Sequence, residues 1–202
     1  MNNKWNKIIY KVWTPFYDSL FNRGPFVNGR KIMFDGYPFN SNQKLLFVGV
    51  GTGADLAFVQ GKNLDITGTD LSPSMINQAR KKYPSYNYSI MDAQSLSFSN
   101  GTYDYVIANL ILSVVPNPLK CLEEILRVTK ESGEIWIFDK FSAPDNKYLT
   151  IQKCLSMITS LFGTDISVNF EKLMYESSHN LSVYEDVPVW LKGRYRLIKI
   201  KK

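Results

Sequence analysis

Leu45-Leu-Phe-Val-Gly-Val-Gly-Thr-Gly-Ala-Asp-Leu56, LLFVGVGTGADL, sets three glycines between one apolar run and the start of the next. A strand that runs into glycines and then a helix presents backbone N–H groups and the positive end of a helix dipole at one point in space. Glycine lets a ligand lie against the backbone where a β-carbon would hold it off. The stretch therefore predicts a nucleotide-like cofactor over a turn made by Gly49, Val50, Gly51, Thr52 and Gly53.

Outward from this turn, short β-branched or aromatic runs alternate with segments of helical spacing, the pattern of a βαβ protein with a mainly parallel sheet. Strands are expected at Leu45–Val50, Asp65–Asp70, Tyr86–Ile90, Tyr103–Asn109 and Glu134–Asp139, with closing runs at Leu181–Val187 and Gly193–Ile200. Ser72-Pro73 and Asn117-Pro118 each place a capping residue before a first-turn proline, so helices follow. Gly133 supplies a residue able to end the second helix's connection with positive φ. Further helices are expected over Asn146–Leu161 and Phe170–Ser177. Trp5, Ile8, Ile9, Val12, Trp13 and Phe16 fall at helical intervals among Lys4, Lys7 and Lys11, a basic amphipathic helix.

Two acids close the predicted site. Asp70 ends the second strand, 21 residues after Gly49, where a carboxylate can accept both hydroxyls of a ribose. Asp92 follows the third strand, 22 residues further on. In a doubly wound sheet such strand ends converge on one crevice. Two cofactor classes fit locally, because Gly49-Val-Gly51-Thr-Gly53-Ala54 also satisfies a dinucleotide fingerprint. The wider chain disfavours NAD, since no arrangement for positioning a hydride acceptor follows.

The stretches LLFVGVGTGADL, ITGTDLSPSMINQARKK, IMDAQSLSFSNGTYDYVIANLIL and PLKCLEEILRVTKESGEIWIFDKF, from Leu45 to about Phe141, together resemble the class I S-adenosylmethionine-dependent methyltransferases. The resemblance implies an α/β, Rossmann-like, doubly wound and mainly parallel seven-stranded sheet with an antiparallel C-terminal strand. It implies a helical lid over residues 1–43 and a methyltransferase domain over 44–202. Gly49, Gly51 and Gly53 would cradle the methionine moiety of S-adenosylmethionine, Asp70 would bind the ribose with Leu71 and Met75 beside it, and Asp92 and Ala93 would flank the adenine. Asn109 and Leu110 would lie beneath the cofactor. The chain departs from the family at Phe47, where an acid is usual, and a non-catalytic cofactor-binding protein is the alternative this departure keeps open.

FYDSLF followed by NGRK, the VGVGTG turn, LILSVVPNPLKCLEEILRV and the terminal GRYRLIKIKK are most similar to bacterial phospholipid N-methyltransferases, with quinone-biosynthesis methyltransferases next. That resemblance implies a small-molecule or lipid acceptor and brings Tyr17 to the cofactor. Charge supplies a separate motive. The chain has a formal net charge of +6, with six basic and two acidic residues over 1–43 and six basic and no acidic residues over 192–202. Basic ends of this kind suit peripheral contact with an anionic membrane surface. A nucleic-acid substrate is disfavoured, because Asn109-Leu-Ile-Leu112 stands where a base-methylation motif would follow the fourth strand. The longest apolar stretch, Tyr105 to Val115, is broken by Asn109 and is shorter than the roughly 18 residues a spanning helix needs. The expected location is the cytoplasm, including the inner membrane face.

Methyl transfer from a sulfonium is an in-line displacement of an already activated group, so positioning can supply much of the rate. An amine acceptor must be neutral to attack. Asp139 and Tyr17 are the candidates for taking its proton, with His179 a poor third. Cys121 and Cys154, with the single histidine, support neither a disulfide framework nor a metal site.

Overall fold

The computed structural model describes residues 23–142, 168–177 and 181–202. Its elements are α1 (Pro25–Phe34), β1 (Lys44–Val48), a 3-10 helix (Ala54–Phe58), β2 (Asp65–Asp70), α2 (Pro73–Lys82), β3 (Asn87–Ile90), β4 (Tyr103–Asn109), α3 (Pro118–Val128), β5 (Thr129–Lys140), α4 (Phe170–Glu176), β6 (Ser182–Trp190) and β7 (Tyr195–Lys201). The seven strands form one sheet in the order β3-β2-β1-β4-β5-β7-β6. Pairings from β3 through β5 are parallel, and β7 runs antiparallel to both β5 and β6. This is the expected α/β architecture. The expected helices at residues 5–16 and 146–161 lie outside the described residues, as do Tyr17, Cys154 and His179.

The central strands are apolar on both faces because helices cover both. Leu46, Val106, Ile135, Ile137 and Ile198 pack toward α3 and α4, while Leu45, Phe47, Ile107, Trp136 and Phe138 pack toward α1 and the 3-10 helix. Among the described residues no helix is long and apolar enough to cross a membrane.

Helix α1 falls within the expected N-terminal lid, yet it is a layer of the sheet domain. Gly29 sits in its middle, and a Cβ there would come within 2.6 Å of Phe138 Cζ. The glycine that weakens the helical signal is what lets α1 lie against β5. The helix runs down the strand: Phe26 meets Tyr195 near the end of β5, and Phe34 meets Trp136 nearer its middle. Arg30, buried on α1, pairs with buried Asp55 of the 3-10 helix and ties α1 to the segment after the glycine turn.

Of three local expectations, one holds and two are corrected. Asn117 caps α3 through its side chain, which accepts from Lys120 N at 3.0 Å. Ser72 holds the equivalent place before α2 without a side-chain cap bond, and its N–H donates instead to Asp70 Oδ1 at 2.8 Å. Gly133 does not have positive φ. It lies inside β5, which starts at Thr129, and a Cβ there would sit 2.7 Å from Thr129 Cγ2 and 2.9 Å from the Asp104 carbonyl. Close backbone approach beside the β4–β5 register shift requires it.

Candidate active site

The strand order reverses between β1 and β4, and at that point the carboxyl ends of β1 to β4 open into a cleft. Small-ligand sites favour such switch points. Of the residues expected to bind cofactor, Gly49, Gly51, Asp70, Leu71, Met75, Asp92, Ala93, Asn109 and Leu110 line it. Thr69, Met91, Ile111, Val114 and Val115 complete the walls. The sequence signal for the last three was the apolar run after Asn109, which leaves the sheet where the expected strand ends and forms the cleft wall.

Val50, Thr52 and Gly53 belong to the turn and not to the lining. Val50 is in the core, with both its γ-carbons beside Gly68. Thr52 is fully buried. Gly53 faces Leu56, Ala79 and Tyr83, so its missing side chain serves packing of the turn on α2.

The turn also uses its own amides. Val50 N donates to the Thr69 carbonyl at 2.8 Å, Gly51 N to Asp70 Oδ2 at 2.9 Å, and Gly53 N to the Val50 carbonyl at 3.0 Å. The element that follows is a five-residue 3-10 helix and not the expected α-helix. These amides are not aimed at an anion as a pyrophosphate cradle requires. What the turn offers is close approach at Gly49 and Gly51, both with positive φ.

Asp70 joins the turn to α2, accepting from Gly51 N and Ser72 N. Burial pushes its pKa up to about 6, against the pull of the Ser72, Gly51 and Leu71 backbone N–H groups. Asp92 is set by its neighbour: its Oδ1 accepts from Gln94 N and Nε2, both at 2.9 Å, and Gln94 Oε1 accepts from Asn117 N. Both carboxylates therefore stand at successive strand ends, fixed by local backbone.

The cleft floor carries two unusual features. Leu110 adopts φ 54°, a left-handed conformation costing about 1–2 kcal/mol for a residue with a β-carbon. Its N–H donates to the Phe138 carbonyl, while Asn109 Oδ1 accepts from Phe138 N at 3.2 Å. Asn109 Nδ2 is buried with no hydrogen-bond partner. Such a group is costly unless something binds it. Two acids suited to hydroxyl and amine donors, a buried amide donor, apolar walls and a glycine surface together fit a nucleoside carrying an amino-acid arm.

Asp139 is brought to the site's back and not to the cleft. It is fully buried, its Oδ2 accepts from Ser113 N at 3.2 Å and its Oδ1 from Lys140 N at 2.7 Å. Burial raises its pKa. Phe47, the departure noted above, is a core residue against α1's Phe34.

Residues 46–137 match the family described as "Methyltransferase domain". The chain is 28% identical over 165 residues to a phosphatidylethanolamine N-methyltransferase of Cereibacter sphaeroides, covering 79% of this chain and 80% of that one. It is 29% identical over 133 residues to a demethylmenaquinone methyltransferase of Paenarthrobacter aurescens, covering 64% of this chain but only 52% of that one. Its fold matches a solved S-adenosylmethionine-dependent methyltransferase of Thermotoga maritima, titled a possible histamine N-methyltransferase, with a TM-score of 0.70, 18% identity, and coverage of 96% and 98% of the two chains. Residues 46–137 thus form a methyltransferase domain, and the chain resembles S-adenosylmethionine-dependent methyltransferases in sequence and in fold.

Proposed function

We propose that this enzyme methylates the amine of a phosphatidylethanolamine-type lipid. The observation that carries the reading is the match to the phosphatidylethanolamine N-methyltransferase, which extends over about four-fifths of both chains. The quinone-methylating relative matches over about half of its own length.

When bound, S-adenosylmethionine supplies a methyl group on a sulfonium, already activated for displacement. The residues of this chain bind and orient. Asp70 would accept the ribose hydroxyls, Asp92 and Ala93 would bracket the adenine with Leu71 and Met75, and Asn109 Nδ2 would donate from the floor. Gly49 and Gly51 would admit the methionine arm. Ile111, Val114 and Val115 exclude water from one side of the cleft, which strengthens every charge interaction within it. Residues before 23 would complete the acceptor pocket as a lid, with Tyr17 reaching the cofactor. The described chain enters α1 at the cleft's edge, since Phe26 meets Tyr195 edge to face at the start of β7 and Tyr195 pairs with Lys140 at the end of β5.

The function is tested by calorimetric titration with S-adenosylmethionine, S-adenosylhomocysteine and NAD, followed by transfer of labelled methyl to phosphatidylethanolamine, demethylmenaquinol and soluble amines. Binding of the first two ligands and label in the phospholipid are expected. Label in the quinol alone would overturn the lipid-amine assignment.

Asp139 acts here as a positioning residue that pins Ser113 in the loop forming the cleft wall. An asparagine presents one acceptor where the carboxylate presents two, so Asp139→Asn leaves Ser113 N or Lys140 N facing a donor. A stability loss of about 1–3 kcal/mol follows from one unsatisfied buried group, with the rate at saturating cofactor retained in the folded fraction. A fall of about 10²–10⁴-fold in rate with unchanged melting would instead make Asp139 the general base.

A further inference from the structure

Among the described residues, half of the C-terminal positive charge is neutralised within the fold. Arg196 is held by Glu171 and Asp186, Lys199 by Glu185, and Lys202 by Glu131. The basic strand β7 is therefore not the cationic face that composition suggested. What remains is exposed Lys201 at the end of β7 and the turn between β6 and β7, where neither Lys192 nor Arg194 has an ion-pair partner among the described residues.

The same turn exposes apolar side chains. Trp190 is 38% and Leu191 47% exposed. Trp190 is braced at its base by Phe26 and Tyr195, with ring centroids 5.7 and 5.3 Å away. Leu191 and Lys192 both hold positive φ, 50° and 54°. Lys192 and Gly193, φ 82°, are the central residues of a hairpin turn that Arg194 N closes on the Leu191 carbonyl at 3.2 Å, which fixes the tip's shape. Register fixes the direction of this tip. Trp190 pairs with Tyr195 and Tyr195 with Lys140, so the turn projects from the carboxyl edge of the sheet, the edge on which the cleft opens.

We infer that the β6–β7 turn is an interfacial anchor that seats the cleft's edge on an anionic lipid bilayer. Trp190 suits the headgroup level, with an apolar body and a polar N–H. Leu191 enters the acyl boundary, and Lys192 and Arg194 meet anionic headgroups. The purpose of the anchor rests on the lipid-amine reading of the active site: it brings a membrane-embedded acceptor to the edge where the cofactor cleft opens.

The test is sedimentation of the full chain with vesicles of equimolar phosphatidylcholine and phosphatidylglycerol, and with vesicles of phosphatidylcholine alone. Wild-type protein binds the anionic vesicles more tightly. Each basic residue near such a surface contributes about fivefold in partitioning, so Lys192→Glu with Arg194→Glu weakens binding by about 25-fold or more. Leu191→Asn weakens it by about tenfold. Asparagine tolerates the left-handed conformation, so this variant keeps its melting temperature and separates anchoring from folding. Wild-type-like binding by both variants, or equal binding of wild type to both vesicle types, overturns the anchor. Methyl transfer to monomeric short-chain phosphatidylethanolamine reports separately on the acceptor. If that transfer fails while the variants still lose vesicle binding, the acceptor assignment falls and the anchor stands.

Discussion

Asp70→Asn is expected to weaken S-adenosylmethionine binding by about 100-fold or more, as loss of two charge-assisted hydrogen bonds of about 1.5–3 kcal/mol each predicts. It is also expected to remove a pH dependence that the wild type shows. The Asp70 carboxyl has its pKa raised from 3.8 to about 6 by burial. Only the ionised form can accept two ribose hydroxyls. Apparent affinity scales with the competent fraction, so wild-type binding falls by about tenfold between pH about 7 and about 5.

Stability runs the other way. A carboxyl with a raised folded pKa contributes stability that is fully present below the ordinary value of 3.8 and is lost as pH rises through about 6. Folding alone would favour the protonated acid, and the cofactor favours the anion. Titration calorimetry from pH about 5 to about 8, with thermal melts on the same samples, checks both signs. If Asp70→Asn bound S-adenosylmethionine as tightly as wild type, Asp70 would be only the brace between Gly51 N and Ser72 N. If the variant retained the wild-type slope, another group would be the one titrating.

The strand ends that make this site were legible because each carries a local signature. Asp70 closes a β-branched run, Asp92 follows the next, and Asn109 ends a stretch whose alternation stops. What could not be read was how the backbone distributes its hydrogen bonds after the turn. LLFVGVGTGADL contains the glycines of a phosphate-binding loop, yet Thr69, Asp70 and Val50 accept the amide protons that such a loop would offer. The discriminating partner, Asp70, is 19 residues from Gly51 and its bond depends on tertiary placement. Helix α1 was missed for a related reason. Gly29 weakens the helical pattern, and its justification, the Phe138 ring, lies over a hundred residues away. Asp139 could be placed at the end of β5 from sequence, but not the inward turn of its carboxylate toward Ser113. Pattern places a residue on an element; it does not say which groups already occupy its polar atoms.

Two glycines of one turn are expected to fail in different ways, and the contrast tests the site as a whole. Gly49 has φ 72° and Gly53 φ 82°, so alanine at either costs about 1–2 kcal/mol in backbone strain. Their surroundings differ. A Cβ on Gly49 would lie 2.8 Å from Ile111 Cδ1 and 3.3 Å from its Cβ, within the cleft lining. Ile111 has to move, and the added methyl occupies the surface against which the cofactor lies. Gly49→Ala should therefore lose about 100-fold in affinity for S-adenosylmethionine, equivalent to about 2.7 kcal/mol. A Cβ on Gly53 would instead meet Leu56, Ala79 and Tyr83 at 3.2–3.3 Å, on the side facing α2. Overpacking of that kind lowers stability by about 1–3 kcal/mol, while the folded fraction keeps near wild-type affinity. Melting curves and titrations on the two variants separate these effects. Equal loss of affinity in both would mean that the turn binds as one rigid unit and that the division between cleft glycines and packing glycine is wrong. Loss confined to Gly49→Ala would place the cofactor against β1's end, on the side of Ile111 and Asn109, where the buried Asn109 amide still has a proton to donate.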